Sequence, residues 1–441
     1  MPTLKASNTM FTALPLGRIR VSALALLSLA AGLVAPIRVR LVGELYASEL
    51  LLPLAGLVAL TSPNARGLFK QKWFWLVLIS ILVTLAGYIL TDYIRGSSSA
   101  QYMRGWARPI VLASNFISLS LIAYADRRNL WWFAAGVGAG GVLYARLVMN
   151  TPISLWKHGG YAEYFTVGFA AFSYFLPARV SSLGFVVLAA LSVHWDFRSH
   201  AGFCLVIAAV MWMRGGTSIK PIALWKVGIA LALALIAAWL AVQSQQTGWH
   251  RERQAGSNLG RSFGIQFGIQ AGINSPIIGY GSWSSSPELQ RAMQQVRERD
   301  PRMAGDWLDD YGGSTASIHS QILQAWVEGG IIATAFFLVL LFVMLRFGRE
   351  LFALRPLDAL TPIFVFYFTA TAWHLFMSPF AIGARTYDAM VAAIVLVLVL
   401  ERQMRRTGAQ PLVSRRGTVR RRTIRGYNKL SSGIRVDNAP G

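Results

Sequence analysis

Strongly apolar runs recur along most of the chain, separated by short polar segments that carry arginine and lysine. A helix needs about 17–25 apolar residues to cross a bilayer core of roughly 30 Å. On that measure the pattern predicts membrane helices at 21–36, 43–61, 73–91, 109–124, 129–147, 161–177, 180–195, 200–213, 222–242, 320–345, 358–377 and 386–400. The fourth, seventh and eighth are short. The pattern fails between 243 and 318, which is too polar to lie in lipid and reads as one large loop. The expected fold is therefore all-α: a polytopic membrane protein of about twelve transmembrane helices with one large, partly helical loop. Residues 1–242 would carry helices one to nine and residues 319–400 the last three. Residues 401–441 form a basic tail with few apolar positions, expected to be disordered. No internal repeat is visible.

Composition agrees with a membrane class and excludes a soluble one. Of 441 residues, 54% are hydrophobic and only 14% charged, with a mean hydropathy of +0.46. A soluble domain carries nearer a quarter charged residues. The single cysteine, Cys204, excludes an intramolecular disulfide and a cysteine-built metal site, and its apolar neighbours predict burial. The net charge of +23 does not imply nucleic acid, because the cations sit between apolar runs and in the tail, where orientation and lipid contact account for them. The first run lacks a small-residue cleavage site and is followed by Arg38 and Arg40, so no cleaved signal peptide is expected.

Charge also sets the orientation. With the N-terminus inside, the inner loops hold Arg18 and Arg20, Arg66 and Lys70, Arg127 and Arg128, Arg179, Arg214 and Lys220, Arg346 and Arg349, and then the tail. Both termini are therefore expected in the cytoplasm. The outer face is basic against this rule. Arg95, Arg104 and Arg108 fall between the third and fourth runs, Arg198 in the turn between the seventh and eighth, and Arg251, Arg253, Arg261, Arg291, Arg297, Arg299 and Arg302 in the large loop. Cations that defy the topology rule need a local reason, and an anion held at the outer face supplies one.

The large loop has its own structure. A helical run is expected over about 261–274, ahead of Pro276-Ile277-Ile278-Gly279-Tyr280-Gly281. Ser286-Pro287-Glu288 is a helix start, with Leu289, Met293 and Val296 at helical spacing and a stop at Asp300-Pro301. Ser317-Ile318-His319-Ser320-Gln321 opens the tenth run and would put His319 in its first turn, where the helix dipole favours a neutral imidazole able to accept a proton. Glu328 lies nine residues on, about 13 Å deeper in a straight helix and on the opposite face. An acid inside a membrane is costly and usually paired. His158, His194, His200, His250 and His374 have no companions at metal-ligand spacing, and no phosphate-cradling or zinc-binding signature is present. Taken singly, an interfacial histidine, a turn arginine and a loop arginine are ordinary surface groups.

Together they resemble a known family. Asp196-Phe197-Arg198-Ser199-His200-Ala201-Gly202, Arg261 with Pro276-Ile277-Ile278-Gly279-Tyr280-Gly281 fifteen residues later, and His319-Ser320-Gln321-Ile322-Leu323 with Glu328-Gly329-Gly330 are similar, in order and spacing, to motifs of the O-antigen ligase and O-antigen polymerase superfamily. The likeness covers roughly 190–345. The chain departs from the family pattern at Asp196, where a serine is usual, at Ile265, where tryptophan is common, and at Ala333 or Thr334, where a glycine is expected. The resemblance implies a membrane glycosyltransferase of the bacterial inner membrane. Such a protein takes a glycan from undecaprenyl pyrophosphate at the periplasmic face and transfers it to an acceptor hydroxyl with inversion. It needs no metal, nucleotide sugar or cofactor. On that reading His319 is the general base, Arg198 and Arg261 hold the pyrophosphate, and Arg104 or Arg108 assists. The acceptor is lipid A core in a ligase or a lipid-linked glycan in a polymerase, and ligase is the leading expectation. A lipid-glycan transporter would instead favour mid-membrane charges and repeat symmetry. A non-catalytic assembly subunit would tolerate loss of all the motif residues.

Overall fold

A computed structural model of the chain describes residues 22–41, 43–150, 160–214, 248–282, 318–353, 360–380 and 382–406, with isolated positions at 152, 156, 157 and between 288 and 298. The described residues are almost wholly helical. Their strands are a single antiparallel hairpin, β1 (Arg38–Leu41) against β2 (Gly43–Tyr46), in which Arg38 faces Tyr46. The hairpin replaces the start of the helix expected at 43–61. Its residues alternate in polarity with period two, which suits a ribbon and not a helix, and Glu44 pairs with Arg38 at 3.5 Å across it.

The helices follow the apolar runs closely. In chain order they are α1 (Ala23–Leu33), α2 (Ser48–Ala59), the single turn α3 (Pro63–Arg66), α4 (Lys72–Arg95), α5 (Ser99–Ala125), α6 (Arg128–Leu143), α7 (Tyr161–Phe172), α8 (Ala178–His194) and α9 (Arg198–Arg214). After the expected ninth run, 222–242, which lies outside the described residues, come α10 (Gly248–Asn274), α11 (Gln321–Ala333), α12 (Ala335–Ala353), α13 (Thr361–Met377) and α14 (Ile382–Arg406). The last continues six residues into the expected tail; the rest of the tail lies outside the described residues. The core is formed where α5 packs on α14 and α2, α1 on α6, α8 on α9, and α4 on α11 and α12.

Helix length narrows the expectation of twelve spans. Among the described residues, Lys72–Arg95, Ser99–Ala125 and Gly383–Leu400 are long and apolar enough to cross a bilayer, and a bent pair makes a fourth candidate. Ala23–Leu33, Ser48–Ala59, Ala178–His194 and Arg198–Met213 are apolar but shorter. Hydropathy reports the apolar run, not where the backbone stops being helical, and turns or the hairpin shorten several runs.

The expected single span at 320–345 is the clearest correction. It is two helices, α11 and α12, bent by 104° at the break. Gly330 ends the regular part of α11 at φ 68°, ψ −173°, a backbone shape essentially confined to glycine. The extrapolation of one straight helix onward from Glu328 across the bilayer therefore does not hold.

Candidate functional site

Arg198 is set by a tight turn. α8 closes at His194, and the turn is tied back by Asp196 N–H to Val193 O (3.0 Å) and Phe197 N–H to Ser192 O (2.7 Å). Asp196 takes a left-handed conformation, φ 54°, which aspartate tolerates better than most residues. Below it, Trp195 stacks on Trp156 with centroids 5.1 Å apart, and Trp156 donates from its indole to Ser192 Oγ (3.0 Å). Phe197 stacks on His200 at 5.1 Å. His200 is buried between Thr166 and Ser192, a structural position, as expected for it. The aromatic floor leaves Arg198 as the first residue of α9, about a third exposed, with Nε 3.4 Å from Asp196 Oδ1. Its Nη2 is buried without a hydrogen-bond partner.

Arg261 is carried by α10, longer than the run expected at 261–274 but ending at the same residue. Phe263 and Phe267 are buried and stacked nearly parallel, in a small apolar cluster with Ala271, Tyr280, Leu289, Ile318 and Val327. Gly268 abuts Ile318 and Leu323, and Gly272 abuts Trp326. α10 and α11 therefore run side by side in the same direction. The four-residue spacing of Gly260, Gly264, Gly268 and Gly272 is a legible signal of such close packing, and the motif reading above passed over it. The described positions of the expected helix at 286–300, such as Glu288, Leu289 and Gln294, are helical.

His319 lies just before α11, not in its first turn. Ser320 is the N-cap, its hydroxyl accepting from Leu323 N–H (3.3 Å) and donating to Leu375 O (2.8 Å). His319 is half-buried. Burial first, and then the nearby Arg261 guanidinium, hold its basicity below that of an ordinary histidine. Burial and the neighbouring Arg198 likewise lower the pKa of Arg261, while Asp196 acts in the opposite sense. Three sequence-distant stretches thus bring Arg261 within electrostatic reach of both Arg198 and His319. Two guanidinium forks beside a neutral imidazole make a site that can hold an anion and accept a proton.

The 276–282 turn locks this arrangement. Tyr280 N–H donates to Val327 O (2.8 Å), Gly281 N–H to Glu328 O (3.0 Å) and Ile331 N–H to Pro276 O (3.0 Å). The Trp326 indole also donates to Pro276 O (2.9 Å). Gly279 and Gly330 meet backbone to backbone: a Cβ on Gly279 would lie 2.6 Å from Gly330 N, and one on Gly330 would strike the Ile277 carbonyl. On its other side the turn is held by α4. Arg95 donates to Gly279 O (2.9 Å), and Asp92 accepts from Ser282 N–H and Oγ (both 2.7 Å) and from the Trp106 indole (2.8 Å). Sequence reasoning missed Asp92 and Arg95 as supports, because each finds its partner more than 180 residues away.

The two remaining candidate arginines lie elsewhere. Arg104 is exposed on α5. Arg108, one turn on, is buried, and its Nη2 pairs with Glu328, which also accepts from Tyr88 (3.0 Å) and Gln324 (3.0 Å). Its place is a closed ion pair between α5 and α11, and not the half-open cluster around Arg261. Glu328, whose own helix offers it the Gln324 amide but no opposite charge, finds that charge here.

Residues 167–338 match the family model described as O-antigen ligase. That span takes in Arg198, Arg261, the 276–282 turn, His319 and Glu328, and it supports the O-antigen ligase and polymerase superfamily and an enzyme of glycosyltransferase type. No curated protein and no solved structure matches the chain.

Proposed function

We propose that this chain, which carries the O-antigen ligase pattern over residues 167–338, is a metal-independent inverting glycosyltransferase of the bacterial inner membrane. The donor is a glycan on undecaprenyl pyrophosphate, and the acceptor hydroxyl belongs to lipid A core. The site faces the periplasm. The observation that supports this reading is the convergence of Arg198, Arg261 and a neutral-leaning His319 from three separate stretches.

In the reaction, His319 takes the proton of the acceptor hydroxyl. The acceptor oxygen attacks the anomeric carbon from the face opposite the phosphate. The anomeric C–O bond breaks with its electron pair going to the pyrophosphate oxygen. Arg198 and Arg261 stabilise the charge that develops there through forked hydrogen bonds in a partly water-screened site. Arg108 acts indirectly, by fixing α11 through Glu328.

The test uses detergent-solubilised protein, lipid-linked glycan donor and lipid A core acceptor. His319→Ala should remove about 10²–10⁴-fold of the rate, the usual worth of a general base. Arg198→Ala and Arg261→Ala should each cost about 2–4 kcal/mol of transition-state stabilisation, by analogy with a lost oxyanion donor. Lysine should rescue neither, since it offers a point charge and no fork. Transfer by His319→Ala within a few-fold of wild type overturns the base assignment. Transfer only onto a second lipid-linked glycan replaces the ligase reading with the polymerase one.

A further inference from the structure

The charged turn holds a residue that the pyrophosphate-binding role of the two arginines does not use. Asp196 lies two residues before Arg198, in the turn that opens α9. Its carboxylate pairs with Arg198 at 3.4 Å and is largely covered, and its backbone is fixed in the left-handed turn that starts α9. It also acts on Arg261 as a favourable opposite charge, against the repulsion between Arg198 and Arg261. Removal of this carboxylate would leave the repulsion between Arg198 and Arg261 less opposed.

We propose that Asp196 is a built-in counter-anion that aligns Arg198 and Arg261 while the site is empty and is exchanged for the pyrophosphate of the donor. This rests on the pyrophosphate assignment above and adds a positioning residue to it. The bound pyrophosphate must displace the Asp196 pairing, so Asp196 lowers affinity for the donor. For the same reason it hastens departure of the lipid pyrophosphate left after transfer, because the arginines regain a partner as it leaves. The unpartnered Nη2 of Arg198 shows that Asp196 occupies only part of that guanidinium and leaves a donor for the incoming anion.

The experiment measures binding of geranyl pyrophosphate, a short prenyl pyrophosphate, to the full-length protein in detergent by calorimetry. Asparagine keeps the shape of Asp196 and tolerates its left-handed backbone. Asp196→Asn should therefore bind the probe about fivefold more tightly, the scale set by removing one partly exposed ion pair. Asp196→Ser should do the same. In steady-state transfer both variants should show a lowered KM for donor, with kcat unchanged or reduced. Equal or weaker binding by Asp196→Asn, in protein that melts like wild type, overturns the proposal. So does a loss of affinity shared by both variants together with a lowered melting temperature, which marks a purely structural turn. Arg261→Ala separates this from the parent reading. If Arg261→Ala binds the probe as wild type does, the pyrophosphate assignment itself falls; if it loses binding while Asp196→Asn gains none, only the counter-anion role falls.

Discussion

Gly330→Ala tests whether the candidate site depends on the clamp between the 276–282 turn and the break in α11. Gly330 has φ 68° and ψ −173°, a region where a non-glycine residue is strained by about 1–3 kcal/mol. The added Cβ also meets the Ile277 carbonyl, a backbone atom that cannot rotate away. Relief requires the turn to lift off α11. That breaks the backbone hydrogen bonds Tyr280 to Val327, Gly281 to Glu328 and Ile331 to Pro276, each worth about 0.5–1.5 kcal/mol net. Together the terms reach roughly 3–7 kcal/mol, a large share of the roughly 5–15 kcal/mol that typically holds a domain folded. The expected outcome is a melting temperature in detergent lowered by several degrees and a transfer rate lowered at least tenfold, because Arg261 reaches His319 through the packing that this turn completes. Gly67→Ala is the comparator: Gly67 has helical torsions, and nothing lies within 4 Å of its added Cβ. If Gly330→Ala melts and transfers like Gly67→Ala, the clamp does not hold the site and the reasoning fails.

Three further outcomes are expected. Glu328→Ala should lower stability by about 3–5 kcal/mol, because it strands the buried Arg108 charge; Arg108→Met with Glu328→Gln should melt closer to wild type than Glu328→Ala alone, and a single variant as stable as wild type refutes the pair's importance. The acid limb of the wild-type pH–rate profile should lie below the pH expected of an ordinary histidine, since burial and Arg261 disfavour protonation of His319; the imidazole resonance should titrate at higher pH in Arg261→Gln, and an unmoved titration excludes the contact. With Cys204→Ala as background, a cysteine at Ser285 should react with an impermeant maleimide in intact spheroplasts and one at Ser414 should not; the reverse labelling overturns the orientation.

What the sequence made legible follows from the range of each interaction. Apolar runs predicted helices because helix formation depends on neighbouring residues, and α4 and α14 fall where expected, whereas α5 begins at Ser99, ten residues before the expected start, and takes Arg104 and Arg108 into the helix. The end of α10 at Asn274 was readable from the proline that follows at 276. The length of a true span was not, because a hairpin at 38–46 and a bend after Gly330 leave hydropathy almost unchanged. The same limit placed His319 one turn too deep. Ser320 is the better N-cap, since its hydroxyl accepts from Leu323, and the local pattern of Ser317 and Ser320 allowed either start. Glu328 was legible as an acid in need of a partner, but Arg108 lies 220 residues away and no local rule selects it.

The convergence of the three motif stretches has a mechanical explanation that motif spacing alone does not contain. Pro276-Ile277-Ile278-Gly279-Tyr280-Gly281 carries no reactive side chain, and neither does Gly329-Gly330. Their place beside Arg261 and His319 in the sequence pattern makes sense once the two segments are seen bonded backbone to backbone. Two chain breaks dock on each other only if both lack side chains at the contact. That docking sets α10 and α11 side by side, so that Arg261, midway along α10, and His319, just before α11, come into reach. On this view the glycines belong to the site as firmly as the charged groups do. In the proposed reaction the arginine and the histidine supply the chemistry, while Gly279 and Gly330 supply the close approach of the two segments that carry them.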